Sequence, residues 1–281
     1  MEFLAHYDPL WLAGLAAALI VTGMVAGLMA GLLGVGGGIV IVPVLYHLFS
    51  LLDIDPAVRM HLAVGTSLAT IIPTSIVSAR SHYRKGGLDP ELLRSIGPPV
   101  LAGALFGGVL GSLLEGVLLS AIFASVAMLV AANMALRPEG SAIADKLPGR
   151  PGRAVIGTAI GATSAIMGIG GGTLGVPVLS AFNTPIRRAV GTASALGLII
   201  GVPGAIGFLL AGLDMPDRPP GSIGYINLVG FALIVPLTMK MAPAGAAIAH
   251  RINPNRLRLA FAIFLALTAA RMFIDLLSQI T

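Results

Sequence analysis

The chain has 281 residues, 56% of them hydrophobic and only 10% charged, and it contains no cysteine. That balance excludes an ordinary soluble domain, and without a thiol there is no disulfide framework, thiolate metal site or cysteine nucleophile. The formal net charge of +5 would suit a nucleic-acid partner, but the basic residues sit in short turns between apolar runs, where membrane topology accounts for them without nucleic acid.

The opening "MEFLAHYDP" lacks the basic stretch and small-residue cleavage site of a secretory signal, so a first apolar helix over about residues 10–33 is expected to be retained. It runs into "GLLGVGGGIVIVPVL", where Gly36, Gly37 and Gly38 should interrupt the helix before a short apolar segment at 36–52. Three helices follow, at about 61–80, 92–114 and 117–136, and then a polar linker over 137–153, "RPEGSAIADKLPGRPGR". The same series then starts again. A helix from about 154 meets a second break at Gly170, Gly171 and Gly172, a short segment covers 171–183, and helices follow at about 189–212, 223–239 (closed by Lys240) and 257–277.

The similarity of the two series is internal duplication. "GVGGGIVIVPVL" at 34–45 matches "GIGGGTLGVPVL" at 168–179 in eight of twelve positions, and "AVGTS" at 63–67 matches "AVGTA" at 189–193. The expected architecture is one all-α transmembrane domain spanning 1–281, made of two repeats of about five helical segments each, 10–136 and 154–277. If each glycine break turns the chain back, the loops at 80–94, 137–153, 184–188 and 240–258 share one side and hold fourteen of the seventeen Lys and Arg residues. A straight passage through each break would erase that bias, and cytoplasmic loops concentrate Lys and Arg. A hairpin at each break also makes the repeats inverted and puts both termini outside the cell membrane. Secondary transporters with this plan bind substrate near mid-membrane, between the repeats.

The candidate chemistry follows from the breaks. Unpaired backbone groups are costly in lipid and persist only where protein or water satisfies them. The N–H groups of Gly36, Gly37, Gly38, Gly170, Gly171 and Gly172, each set at the start of a short helix, form a receptor for an anion. The competing reading is that small residues let helices pack tightly. Thr66, Ser67, Thr192 and Ser194 lie in the second repeated motif and can offer hydroxyls to an oxyanion, or bond a carbonyl one turn back in their own helices. Ionisable residues within apolar segments are functional candidates by default. His47 lies in the first short segment opposite Ala181 of the repeat, as a gating group or a packed histidine. His61 and Arg187 are counterparts that could attract an anion at the two entrances, the alternative being that Arg187 with Arg188 is only a topology signal. Arg271 and Asp275 read as an interfacial i, i+4 pair. The acidic residues fall in loops, helix ends or termini, so a pore lined by N–H donors favours anions. No cofactor, metal or catalytic residue is implied.

At these residues the sequence resembles the TauE/SafE sulfite-exporter family of membrane permeases, through "AGLLGVGGG…VP", "SAIMGIGGGTLGVP", "AVGTS" and "AVGTA". The resemblance implies movement of a small sulfur-containing or carboxylate anion, such as sulfite or a sulfonate, across the cytoplasmic membrane, often outward. The expectation is a secondary anion carrier working by alternating access, with an anion channel of the same fold as the alternative. An intramembrane enzyme is disfavoured, since HExxH, Gly-x-Ser-x-Gly, paired buried acids and cysteine are all lacking. A structural scaffold would leave no pocket between the repeats.

Overall fold

The computed structural model describes residues 8–136, 143–215, 219, 221–248 and 254–280. The first six linker residues, 137–142, and residues 249–253 lie outside that set, as do the termini. The described residues form α1 Pro9–Leu33, α2 Gly38–Leu51, α3 Pro56–Arg84, α4 Pro90–Leu113, α5 Gly116–Leu136, α6 Arg150–Met167, α7 Gly171–Ala181, α8 Ile186–Ala211, the hairpin β1 Ser222–Ile223 and β2 Ile226–Asn227, α9 Leu228–Ile248 and α10 Pro254–Ile280. Six of these helices, α1, α3, α4, α5, α8 and α9, are long and apolar enough to cross a membrane. The protein is a multi-pass, all-α membrane protein.

Local sequence sets the helix starts. Asp-Pro pairs open α1, α3 and α4, with the carboxylates of Asp8, Asp55 and Asp89 accepting the free N–H groups of Leu10, of Ala57, and of Glu91 and Leu92. The proline supplies a first-turn residue that needs no partner of its own. The largest departure from the sequence expectation is α9. Its expected start is taken by the β-hairpin, and it continues past Lys240 and Pro243 to Ile248. Proline is tolerated inside membrane helices because neighbours re-satisfy the freed backbone groups.

The bundle has apolar side chains outside and hydroxyls inside. Phe106, Leu129 and Leu267 are all more than 60% exposed, as a lipid-facing surface requires, whereas Thr66, Ser67, Thr70, Thr74 and Ser75 of α3 are fully buried. Two close helix pairs cross between the halves. A Cβ on Gly27 of α1 would sit 2.6 Å from the Thr238 Cα of α9, and Gly31 faces the Ala242 carbonyl. In the equivalent pair, Gly161 of α6 faces the Val100 carbonyl of α4, and Gly107 of α4 faces Ala162. Small residues are what permit this approach. Both pairs run parallel. The equivalent helices α3 and α8 instead run antiparallel: Gly197 lies on Ser75, Gly201 on Ile71, and Phe208 on Gly65.

The loops sort onto two ends. At one end Gly87 lies beside the Arg187 carbonyl, Arg188 is 3.7 Å from Asp89, and Arg153 donates to the Ser95 hydroxyl at 2.8 Å. At the other, His61 meets the Leu114 carbonyl at 2.8 Å and stacks on Tyr225, while His47 lies 3.6 Å from Asp275. Three basic stretches, 80–94, 143–153 and 184–188, thus gather at one end.

Candidate anion site at the paired glycine breaks

Both helices are interrupted where the glycines fall. α1 ends on Gly34, left-handed at φ 68°, and Gly36 and Gly37 follow at φ 68° and 81° before α2 begins. α6 ends on Gly168, also at φ 68°, and Gly170 is extended ahead of α7. Side-chain-bearing residues rarely adopt the left-handed region, so the repeated glycines write the break into the sequence. The helices that follow have 14 and 11 residues. At about 1.5 Å per residue they reach roughly 21 and 16 Å, short of the ~30 Å hydrocarbon core.

The two breaks meet each other. A Cβ on Gly36 would stand 3.3 Å from the Gly170 Cα, one on Gly38 would meet the Gly168 carbonyl, and one on Gly172 would meet the Gly34 carbonyl. Each break also rests on the other half's repeated motif, Gly34 on Val190 and Gly168 on Val64. Tight packing therefore explains the glycines in part. It leaves the amides unexplained. The N–H groups of Gly36, Gly37, Gly38, Gly170, Gly171 and Gly172 are buried and donate to no protein acceptor among the described residues. The first N–H groups of any helix lack intrahelical partners, but such groups are normally satisfied at a cap or by water.

The four expected hydroxyls are all engaged. Thr66 accepts the Asn227 N–H at 2.8 Å ahead of α9, and Thr192 accepts the Asp89 N–H at 3.1 Å ahead of α4. These equivalent bonds tie each half to the other's fourth helix. Ser67 donates to the Gly168 carbonyl at 2.7 Å, clamping the second break, and Ser194 donates to Val190 one turn back while accepting from Ser78. Among the described residues, the buried hydroxyls without a protein partner are different ones: Ser75, Ser164, Thr173 and Ser180. Sequence reasoning missed them. Ser75 belongs to a helical-period stripe on α3 (Thr66, Ser67, Thr70, Thr74, Ser75, Ser78, His82) that is readable at i, i+4 spacing. Thr173 stands where the first repeat has Ile39.

Among the ionisable candidates, His47 and Arg271 both reach Asp275, at 3.6 and 3.4 Å, and Arg59 lies over the Tyr46 ring. This cluster sits at the end away from the gathered basic loops. His61 is 4% exposed, with its two ring nitrogens on the carbonyls of Ala57 and Leu114. A neutral imidazole donates to only one of them. Its place is a latch between α3 and the end of α4. Arg187 is exposed at the basic end. A separate groove of about 510 Å³ runs between α4 and α8, lined by apolar side chains such as Leu93, Leu101, Ile199 and Val202 with Arg94 among them.

The model of the sulfite exporter TauE/SafE family matches residues 19–272, a span that takes in both breaks and both AVGT motifs. The chain belongs to the TauE/SafE family. A probable membrane transporter protein of Haemophilus influenzae is 32% identical over 91% of this chain and 97% of its own length. Another from Methanocaldococcus jannaschii is 28% identical over 86% of this chain and 89% of its own. A third, from Bacillus subtilis, is 30% identical over 66% of this chain and 76% of its own. No solved structure matches. As a TauE/SafE member the chain is a membrane transporter, and the glycine breaks are its most distinctive buried backbone feature.

Proposed function

We propose that this transporter carries a small anion such as sulfite or an organosulfonate, as a secondary exporter of the cytoplasmic membrane working by alternating access between two inverted repeats. The observation that carries the reading is the pair of glycine breaks meeting, with six buried N–H groups that find no protein acceptor among the described residues. Partial positive charge at two helix starts attracts an anion and disfavours a cation. The antiparallel course of α3 and α8 supports the inversion, and the exchanged bonds from Thr66 and Thr192 support a two-fold relation. The gathered basic loops support a cytoplasmic assignment for their end, with both termini outside.

A carrier is favoured over a channel by the closed centre. The breaks touch backbone to backbone, and the Ile71 side chain lies over Gly36 and Gly38, with its Cδ1 at 2.8 Å from a Cβ placed on Gly38. Passage through such a contact requires the halves to separate. Proteoliposomes preloaded with unlabelled sulfite and diluted into labelled sulfite should show a transient, saturable overshoot of label inside. A flux that is linear in sulfite and lacks an overshoot would replace the carrier with a channel.

A further inference from the structure

The two breaks are alike in backbone and unlike in lining. At the first, the third residue of the glycine run is followed by Ile39, and the Ile71 side chain covers Gly36 and Gly38. At the second, the residue equivalent to Ile39 is Thr173, whose buried hydroxyl has no protein partner. A helical Cβ is tilted toward the helix N-terminus, which leans the Thr173 side chain back toward the break. The residue equivalent to Ile71 is Gly197. It has no side chain to cover the second break, and Gly171 packs against it, with a Cβ there 3.1 Å from the Gly197 nitrogen. The volume that a side chain at Gly197 would take is occupied by the Ser75 hydroxyl, which is fully buried and also unpartnered. Ser164, one turn before Gly168 and likewise unpartnered, replaces Ala30 of the first repeat.

We infer that the anion is held at the second break alone, on the N–H groups of Gly171 and Gly172 with the hydroxyls of Thr173 and Ser75 as donors, while Ile71 closes the first break to it. This rests on the anion-carrier reading and goes beyond it, because a site shared equally by the two repeats would also satisfy that reading. The donor set suits a compact oxyanion with several acceptor oxygens. Hydroxyls and amides give short bonds to charged acceptors, and none of these groups brings a counter-charge that would hold the anion too tightly to release.

The test is a thermal-shift titration of the purified full-length protein with sulfite, thiosulfate, methanesulfonate and acetate, on wild type, Thr173→Val, Ser75→Ala and Ile39→Val. The anion that stabilises wild type most should need about tenfold more concentration for half its effect in Thr173→Val and in Ser75→Ala, as expected for loss of one hydrogen bond to a charged group. Ile39→Val should leave that midpoint unchanged. With no anion, Thr173→Val and Ser75→Ala should melt at or above the wild-type temperature, since each removes a buried hydroxyl that has no protein partner. Unchanged midpoints in both hydroxyl variants, or an equal shift in Ile39→Val, would overturn the one-sided site and leave the carrier reading standing. If no anion in the series stabilises wild type, both fall together.

Discussion

Gly172→Ala is expected to collapse the fold, with loss of monodisperse protein and a drop in stability of about 4 kcal/mol or more, at the far end of what single substitutions do. The new methyl would land on the Gly34 carbonyl group and 2.6 Å from the Val35 nitrogen. Backbone lies on both sides of this contact, so no side chain can rotate away and the two halves would have to part. Gly175→Ala, one turn along α7, is the matched control. Its methyl meets the Ala193 Cβ and Leu196 Cδ1 at 3.7 Å, ordinary contact distances. That variant should be neutral or more stable by up to ~1 kcal/mol, the intrinsic helix preference of Ala over Gly. Thermal unfolding of the two in one detergent gives the comparison, and equal stability would contradict the backbone-to-backbone meeting of the breaks. The same geometry makes bulky substitutions at Gly171 uninformative about binding, because a Cβ there already stands 2.6 Å from the Leu196 Cβ.

Thr66→Val and Thr192→Val should each cost about 1–3 kcal/mol, the desolvation penalty of an N–H that loses its partner. Thr66 receives the Asn227 N–H and Thr192 the Asp89 N–H, so each substitution orphans a donor at the start of the other half's fourth helix. The side chains keep their shape, which separates the lost bond from any packing change. The two sites share no partner, so their costs should add in the double variant within about 0.5 kcal/mol. Denaturant or thermal unfolding of the singles and the double checks this. A loss well below 1 kcal/mol in both singles would show that the exchanged bonds do not join the halves.

Much of the architecture was legible because it rests on local rules. Glycine runs that demand φ near +70° mark the breaks, Asp-Pro pairs mark helix starts, and runs of some twenty apolar residues mark the spans. Of the four basic loops that charge bias put on one side, the described parts of three, 80–94, 143–153 and 184–188, lie together at one end. The boundaries of α9 were not legible. A membrane helix can carry Pro236 and Pro243, and the hairpin before it depends on Gly221 and Gly224 at positive φ, with the Gly224 backbone pressed on Leu209.

The candidate site was half legible. The repeat located both breaks, but not that they touch, which is a fact of packing between residues 130 or more positions apart. Of the four hydroxyls, Thr66 and Thr192 stood out by repetition, and both hold helix starts, whereas Ser67 and Ser194 align with Ala193 and Leu68 of the other half. Asymmetric function hides where the repeats differ, at Thr173 against Ile39, Ser164 against Ala30 and Gly197 against Ile71. Those differences are visible in the aligned halves, but only burial and the absence of a partner distinguish a ligand donor from drift. His61 is the converse case. Its place before the motif suggested an entrance, and the fold turns it inward onto two carbonyls.

The proposed carrier holds a small oxyanion where the two breaks meet. Selenite, the selenium counterpart of sulfite, reports its own position by anomalous scattering, and the chain has no cysteine with which it could react. Crystals of the full-length protein grown with selenite should give an anomalous peak within hydrogen-bond reach of the Gly171 and Gly172 N–H groups and the Thr173 hydroxyl. A peak confined to the Arg94-lined groove between α4 and α8, or none near either break under conditions where selenite is transported, would contradict the account.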